Sequence, residues 1–446
     1  MKFSCFVALL LAASPISQVA IAQDAAAIRA TIKTQLDPRY PALFELFKNL
    51  HANPELSLCE VKTSARMAEE LKQAGYEVTT NVGGHGVVGL LRNGSGPTVL
   101  VRADMDGLPV REQTGLPYAS TVTTKDRAGN EVSVMHACGH DVHMTCFIGT
   151  AQVLAQLKDR WQGTLVMVAQ PAEEAGDGAK KMLDNGLFTR FPRPDFCIAL
   201  HDSADLPAGV IGYTPGYSAA NVDSVDITVR GVGGHGAHPD QTKDPVVLAS
   251  QIVLALQTIV SREIKPGDPA VVTVGSIHGG TKHNIIPDEV KLQLTVRSYA
   301  DEVREQLLAA IPSVARGQAI AAGMPEDRLP VVRIDAEGTP AVYNDPALTE
   351  RLVGVFRATF GGTNVVERKP SMGGEDFSRY GRTEPRVPSF MFSLGAVSPA
   401  KYAESQRTGQ PLPGLHSSLF VADPEPTLKT GVTAMAAAVL ELLGRR

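Results

Sequence analysis

The sequence predicts an α/β protein: a catalytic domain with a mostly parallel sheet and flanking helices, interrupted by an inserted ferredoxin-like α+β domain. Two changes of texture carry this reading. Short β-branched strands alternate with helical segments from Gly86 to His201, a βαββαβ order then runs from Asp223 to Ile334, and α/β character returns from Asp345 onward. A third observation concerns chemistry: polar residues recur at successive strand ends, first Asp104 and Asp106, then Glu173 and Glu174, then His201. In open α/β sheets that edge is where ligands bind.

The length of 446 residues is too great for one core and suits two domains. The expected boundaries are 23–216 with 337–446 for the catalytic domain and 217–336 for the insert. A hydrophobic content of 43%, a charged content of 20% and a net charge of -5 describe an ordinary globular protein with no electrostatic footprint for nucleic acid, so a small-molecule partner is expected.

Met1-Lys2, the apolar run Phe3 to Ala13 and Ala20-Ile21-Ala22 read as a secretory signal over 1–22, cleaved after Ala22, giving an exported, periplasmic or secreted protein. No later stretch is expected to reach the roughly 20 apolar residues of a membrane span. The remaining cysteines, Cys59, Cys138, Cys146 and Cys197, are too sparse for a disulfide framework; Cys59, Cys146 and Cys197 read as buried apolar thiols.

Taken in order, Asp24 to Gly75 is helical, with a second helix from Ser64 to Ala74 closed by Gly75. Between the helices, His51 and Glu55 read as a helix-end histidine and a solvated acid near a pocket rim. Strands follow at Gly86 to Leu91 and Pro97 to Arg102, then a polar, exposed insertion from Ser120 to Ser133. A helix from about Val142 to Lys158, a strand Gly163 to Ala169, a helix stopping at Gly186 and a strand Asp195 to Leu200 complete the first block.

In the insert, Val225, Ile227 and Val229 alternate on one face, Asp244 and Pro245 open a helix, and strands Ala270 to Ile277 and Glu289 to Ser298 precede a helix near 301–322. Its loops present His235 and His238 among glycines, and Asn284; Arg297 lies on the polar face of a strand. The last block has a helix Asp345 to Phe360, the loop Ser371 to Ser378 containing Gly374, a strand Ser389 to Leu394, then His416 before a final helix ending near Leu443.

The densest stretch is Met135 to His143, with three histidines, a thiol and a carboxylate in nine residues. Gly139 between Cys138 and His140 lets the backbone turn so that both side chains converge on one centre. A lone Cys or His at a helix start is usually packing or capping; several such residues together favour a metal.

The segments MHACGHDVH, QPAEE, HDS, GVGGHGAHP, NIIPD, MGGEDFS and LHS occur in this order. Together they resemble the metal-dependent amidohydrolases that include aminoacylases, hippurate hydrolase and indoleacetyl-amino-acid hydrolases. The resemblance implies two divalent ions, Zn²⁺ or Mn²⁺ with Co²⁺ also compatible, held by Cys138, His140, Glu174, His201 and His416. It implies Glu173 as general base, His235 and Asn284 as oxyanion donors, Arg297 and Gly374 as substrate contacts, and Asp104 and Asp106 behind the ligands. Peptidase branches of the same clan carry His-any-Asp where this chain has Asp104-Met105-Asp106. The insert is then a dimerisation domain, and the expected substrate is an N-acyl amino acid of acetyl, benzoyl or indoleacetyl type. An exopeptidase for short peptides is the nearer alternative; a binding protein that lost its chemistry is the farther one, and no ligand position is broken here.

Overall fold

The computed structural model describes residues 15–335 and 338–445. Of the expected leader, residues 1–14 lie outside the described range. Eight strands form the main sheet, in the order Glu77–Val82, Gly86–Asn93, Gly163–Gln170, Thr98–Asp104, Phe196–Pro207, Ser389–Val397, Ile211–Tyr213, Val365–Glu367. The four strands from Gly163–Gln170 to Ser389–Val397 run parallel, and antiparallel pairs join them to both margins. The central strand Thr98–Asp104 shows why: Val99, Leu100, Val101 and Ala103 are all buried, an apolar run interrupted only by Arg102 that suits a parallel strand covered on both faces.

Two apolar layers cover the sheet. Val99, Val101 and Ala103 join a cluster with Phe47, Phe147, Met435 and Val439, whereas Leu100 joins Val166, Val168, Met182 and Tyr380 on the other side. The helix His140–Gln156 is buried almost all round, as expected for one wedged between sheet and helices. It meets the final helix Pro424–Leu443 through two glycines. A Cβ on Gly149 would stand 2.6 Å from Val432 Cγ2, and one on Gly431 would stand 2.4 Å from Cys146 Sγ.

The insert has its own antiparallel sheet, ordered Ala270–Gly279, Glu289–Ser298, Asn221–Arg230, Val331–Ile334. Helices Pro245–Thr258 and Asp301–Ala321 contribute Leu248, Ile252, Leu256, Leu307 and Ile311 to a separate core with Val225, Ile227 and Leu292. Asp244 caps the first of these helices by accepting from Val246 N and Val247 N. Gly216–Ala219 pairs with Val342–Asn344, and Ala219 and Val342 pack in the catalytic core. The first strand of the insert's sheet, Asn221–Arg230, follows directly.

Other expectations are corrected. The strand thought to end at Leu200 continues to Pro207, because Ser389–Val397 keeps pairing with it (Ser393 with His201, Leu394 with Asp202) after its pairing with Thr98–Asp104 has ended at Arg102 and Ala199. His201 thus sits inside a strand with one open side. Cys59 is exposed, not buried, because the turn after Leu58 carries it outward. The polar insertion is an exposed hairpin, Thr123–Lys125 against Glu131–Ser133. The strand Glu77–Val82 and the helix Pro399–Thr408 were not anticipated: the one is a polar edge strand and the other buries no residue, so neither has an apolar stripe. Among the described residues one helix, Pro245–Glu263, is long and apolar enough to cross a membrane by length and composition alone, with a mean hydropathy of 1.4. Its inner face is nevertheless spent on the insert's core.

The Gly431 contact generates a test. Gly431→Ala places a methyl group against Cys146 and should pry the final helix from the helix that carries His140. Urea unfolding is expected to register a loss of about 1–3 kcal/mol, the usual cost of overpacking; unchanged stability would mean that the helices separate freely there.

Candidate metal centre

Five side chains converge where the central strands end. His416 Nε2 lies 3.3 Å from Cys138 Sγ and 3.4 Å from Glu174 Oε1. His201 Nε2 lies 3.6 Å from Cys138 Sγ, and His140 Nε2 lies 3.9 Å from Glu174 Oε1. Tetrahedral ligands at about 2.0–2.3 Å from an ion stand roughly 3.3–3.7 Å from one another, so these spacings fit atoms ready to share a cation. Cys138 belongs to two groups of this kind, one with His140 and His201 and one with Glu174 and His416.

A second observation tests the fit. Both ring nitrogens of His140 and Oε1 of Glu174 are buried without a hydrogen-bond partner. Orphaned polar atoms of this sort are costly unless something takes their lone pairs, and a divalent cation would. Burial, against the pull of His140, pushes the Cys138 thiol well above its ordinary range; a bound cation deprotonates a coordinating thiol. Thiolate, imidazole and carboxylate donors together suit Zn²⁺ or a neighbouring borderline ion.

The local backbone is arranged to bring these atoms together. Gly139 has φ 74, and a Cβ there would fall 2.3 Å from Asp202 Oδ2, so only glycine allows the Cys138 loop to close on this carboxylate. His416 is itself left-handed, φ 65, held by its N–H on Ala137 O at 2.8 Å. Asp106 Oδ1 lies 3.4 Å from His140 Nδ1. The same carboxylate accepts from Glu173 N at 3.1 Å, Glu174 N at 3.0 Å and Ser57 Oγ at 2.5 Å. Asp104 accepts from His143 Nδ1 at 2.6 Å and Arg102 Nη1 at 2.6 Å. Burial works against its charge, but Arg102, His140 and His143 hold it well below the usual carboxylate range. His143, engaged by Asp104 and by Asp202 Oδ1 at 3.0 Å, is carried up to about 9 by these acids despite its burial. Its Nε2 also accepts from Asp202 N at 2.9 Å, so the ring is held from both sides and orients its neighbours.

Sequence reasoning missed the hub beneath this layer. Arg102, fully buried, also binds Glu375 Oε1 at 2.9 Å, Asp376 Oδ1 at 3.0 Å and Gln170 Oε1 at 3.0 Å. An arginine inside an apolar strand was the available signal. His51 is more than a helix-end residue: it is buried, with Nδ1 2.6 Å from Asp141 Oδ2 and Nε2 3.0 Å from Glu112 Oε1. Glu55 is not a solvated acid; it accepts from Lys62 N and Thr63 N at the start of the helix Val61–Gln73.

The cluster lies in a cleft of about 1000 Å³. Glu173 lines it beside the ligands, and burial together with the Glu375, Asp376 and Glu174 carboxylates holds its carboxyl well above the ordinary range. Arg297 of the insert lines the cleft as well, with Gly374, Tyr402 and Leu412 of the catalytic half. Arg297 donates to Met372 O at 3.1 Å, and a Cβ on Gly374 would meet Val222 Cγ2 at 2.3 Å. His235 and Asn284 do not line this cleft. His235 pairs with Ile285 on a short exposed ladder of the insert, and Asn284 is exposed beside it.

Comparison with known proteins agrees with this construction. Residues 100–407 match the model of peptidase family M20/M25/M40. The chain is 35% identical over 398 residues to thermostable carboxypeptidase 2 of Saccharolobus solfataricus, covering 88% of this chain and 93% of that protein. It is 37% identical over 341 residues to N-acetyl-L-cysteine deacetylase of Bacillus subtilis, covering 76% and 77%. A solved dinuclear metal-binding M20 peptidase from Bacillus subtilis superposes with a TM-score of 0.71 at 29% identity, covering 90% of this chain and 99% of that one. With more than half its length matched by the family model, the chain belongs to peptidase family M20/M25/M40 as a metal-dependent amidohydrolase.

Proposed function

We propose that this chain hydrolyses the amide bond of N-acyl amino acids. The observation that carries the reading is the Glu173 carboxylate, grouped with His140 and Glu174 in a cleft that Arg297 also lines. Two divalent ions, Zn²⁺ or Mn²⁺ with Co²⁺ also suitable, would be held by Cys138, His140, Glu174, His201 and His416, with Cys138 common to both groups. When bound, they supply polarisation of the amide carbonyl and a lower pKa for water. Glu173 takes the proton of the attacking water and hands it to the leaving nitrogen, giving a carboxylic acid and a free amine. Arg297, with no carboxylate partner among the described residues, pairs with the substrate's carboxylate.

The relatives support two substrate readings, since one is named for deacetylating N-acetyl-L-cysteine and another as a carboxypeptidase. A side-by-side screen of acetyl-, benzoyl- and indoleacetyl-amino acids against dipeptides, on metal-loaded protein, separates them by kcat/KM. Higher values for dipeptides would favour the peptidase.

Export after cleavage at Ala22 and assembly as a homodimer belong to the same proposal. The insert's helix Pro245–Thr258 leaves Val246, Val247 and Leu254 exposed, the last at 72%, and the edge strand Ala270–Gly279 exposes Ile277. Pairing this face with a second copy would cover it, and His235 and Asn284 of the partner subunit would then complete the oxyanion site.

Three outcomes are expected. Glu173→Gln should retain its metal and lose about two to four orders of magnitude in rate, the size of a general-base contribution; elemental analysis beside kcat checks it, and metal loss here with normal occupancy in Glu174→Gln would reverse the two roles. Cys138→Ser should lower metal content and activity together, and full activity in metal-free wild type would remove the metal from the reaction. Glu173→Ala and His235→Ala homodimers should both be nearly inactive, while co-refolding them should restore at most about a quarter of wild-type activity if half the dimers are mixed. No recovery from demonstrated heterodimers would place His235 in its own subunit's site or outside the reaction.

A further inference from the structure

Glu60 belongs to none of the groups described above. It is fully buried, at 0% exposure, in the turn that opens the helix Val61–Gln73. Its Oε1 accepts from Ala172 N at 2.7 Å, and its Oε2 has no partner. Ala172 has φ 55, a left-handed conformation that L-residues other than glycine avoid and keep only where the surroundings impose it. The next two residues are Glu173 and Glu174.

Three consecutive N–H groups are therefore fixed by two buried carboxylates, that of Ala172 by Glu60 and those of Glu173 and Glu174 by Asp106. The carbonyl of Ala172 in turn accepts from Asp177 N at 3.2 Å and Gly178 N at 3.1 Å. A Cβ on Gly178 would lie 1.6 Å from Pro171 O, so the loop is closed tightly on itself. Releasing Ala172 from φ 55 to the ordinary region near -65° rotates the chain by about 120° about its N–Cα bond, immediately before the base.

We propose that Glu60 is a positioning residue for hydrolysis: by holding the Ala172 N–H it keeps Ala172 left-handed, and this aims Glu173 at the reacting water. The ligands are less exposed to the change than the base, because Glu174 lies one residue farther from Ala172 and the other four ligands lie on different segments. What matters is an oxygen acceptor of the right reach, not charge. Burial, with Asp106 alongside, pushes the Glu60 carboxyl up to about 7, so a neutral amide of the same shape can replace it.

The inference rests on the reading of Glu173 as general base. Glu60→Gln keeps the acceptor, and Glu60→Met keeps the volume without it. On metal-loaded protein turning over an N-acetyl amino acid, Glu60→Met should lower kcat by about 10-fold or more, since small misplacements of reacting groups are expensive. KM should change less than about threefold and metal content should hold, which a general loss of structure would not spare. Glu60→Gln should stay within about threefold of wild type, and adding Ala172→Gly, which makes positive φ free of strain, should recover part of the loss in Glu60→Met. Full kcat in Glu60→Met, or Glu60→Gln as slow as Glu60→Met, overturns the proposal. If Glu60→Met does not fold, Glu60→Asp, which withdraws the acceptor by one methylene, is read against the same threshold. Full turnover in Glu173→Gln would overturn the base reading and this one with it; full turnover in Glu60→Met beside a dead Glu173→Gln overturns this one alone.

Discussion

Charge at the end of the central strands is what the catalytic half must accommodate, and the Arg102 guanidinium makes it tolerable. Arg102 has no contact with solvent, and Asp104, Glu375 and Asp376 lie within 3.0 Å of it. Isolated ions in such a place would be expensive; around one delocalised cation with five fixed donors they satisfy one another. Each carboxylate then reaches a different part of the machinery. Asp104 holds His143 and stands 3.8 Å from His140, and Asp376 receives Ala179 N at the start of the helix after the Glu173 loop. Glu375 anchors the loop whose Met372 O binds Arg297 and whose Gly373 O receives Ala220 N at the crossing into the insert. One buried side chain thereby links ligand orientation, the base loop and the wall that receives the substrate.

What the sequence disclosed follows from the range of the interactions involved. Strand and helix order was legible because periodicity is local, and the Cys138 and His140 pair was legible because its ligands are two residues apart. Arg102 meets Glu375 across 273 positions, so its role as a hub has no local pattern. His201 was located by type but misjudged by place, since whether a strand ends at Leu200 depends on how far its distant neighbour Ser389–Val397 continues. Cys59 failed differently: a thiol's usual burial was overridden by a turn whose geometry, φ 67 at Leu58, has no glycine to announce it.

The cleft has two walls of different origin. Arg297, Val222 and Ser224 come from the insert, whereas the ligands and the Tyr402 side come from the catalytic domain. The crossing between the two is braced by the ladder Gly216–Ala219 with Val342–Asn344 and by backbone bonds from the Ser371 to Ser378 loop. Contact of Gly374 with Val222 leaves no room there for a side chain, which fixes how closely the wall bearing Arg297 approaches the ligands. If Arg297 holds a substrate carboxylate as proposed, its spacing from the ligand cluster is a property of this junction, and so is the length of substrate that would fit between them.

Backbone strain is gathered at the same centre. Of the non-glycine residues with positive φ among the described residues, Leu58, Ala172 and His416 lie on the loops that build it, while Asn81 turns a hairpin at the sheet margin. Each of the three lies near or supplies a polar group that must face inward: Glu60 is two residues after Leu58, Glu173 follows Ala172, and His416 is itself a ligand candidate. A parallel sheet ends in divergent loops, and three to five side chains can be turned back onto one point only if some of those loops bend against their preference. Buried acceptors supply the restoring force: Ala137 O for His416, Glu60 for Ala172, Asp106 for the pair that follows. The carboxylates behind the ligands therefore do mechanical as well as electrostatic service, and a chain that lost one of them could keep every ligand and still aim its base at the wrong place.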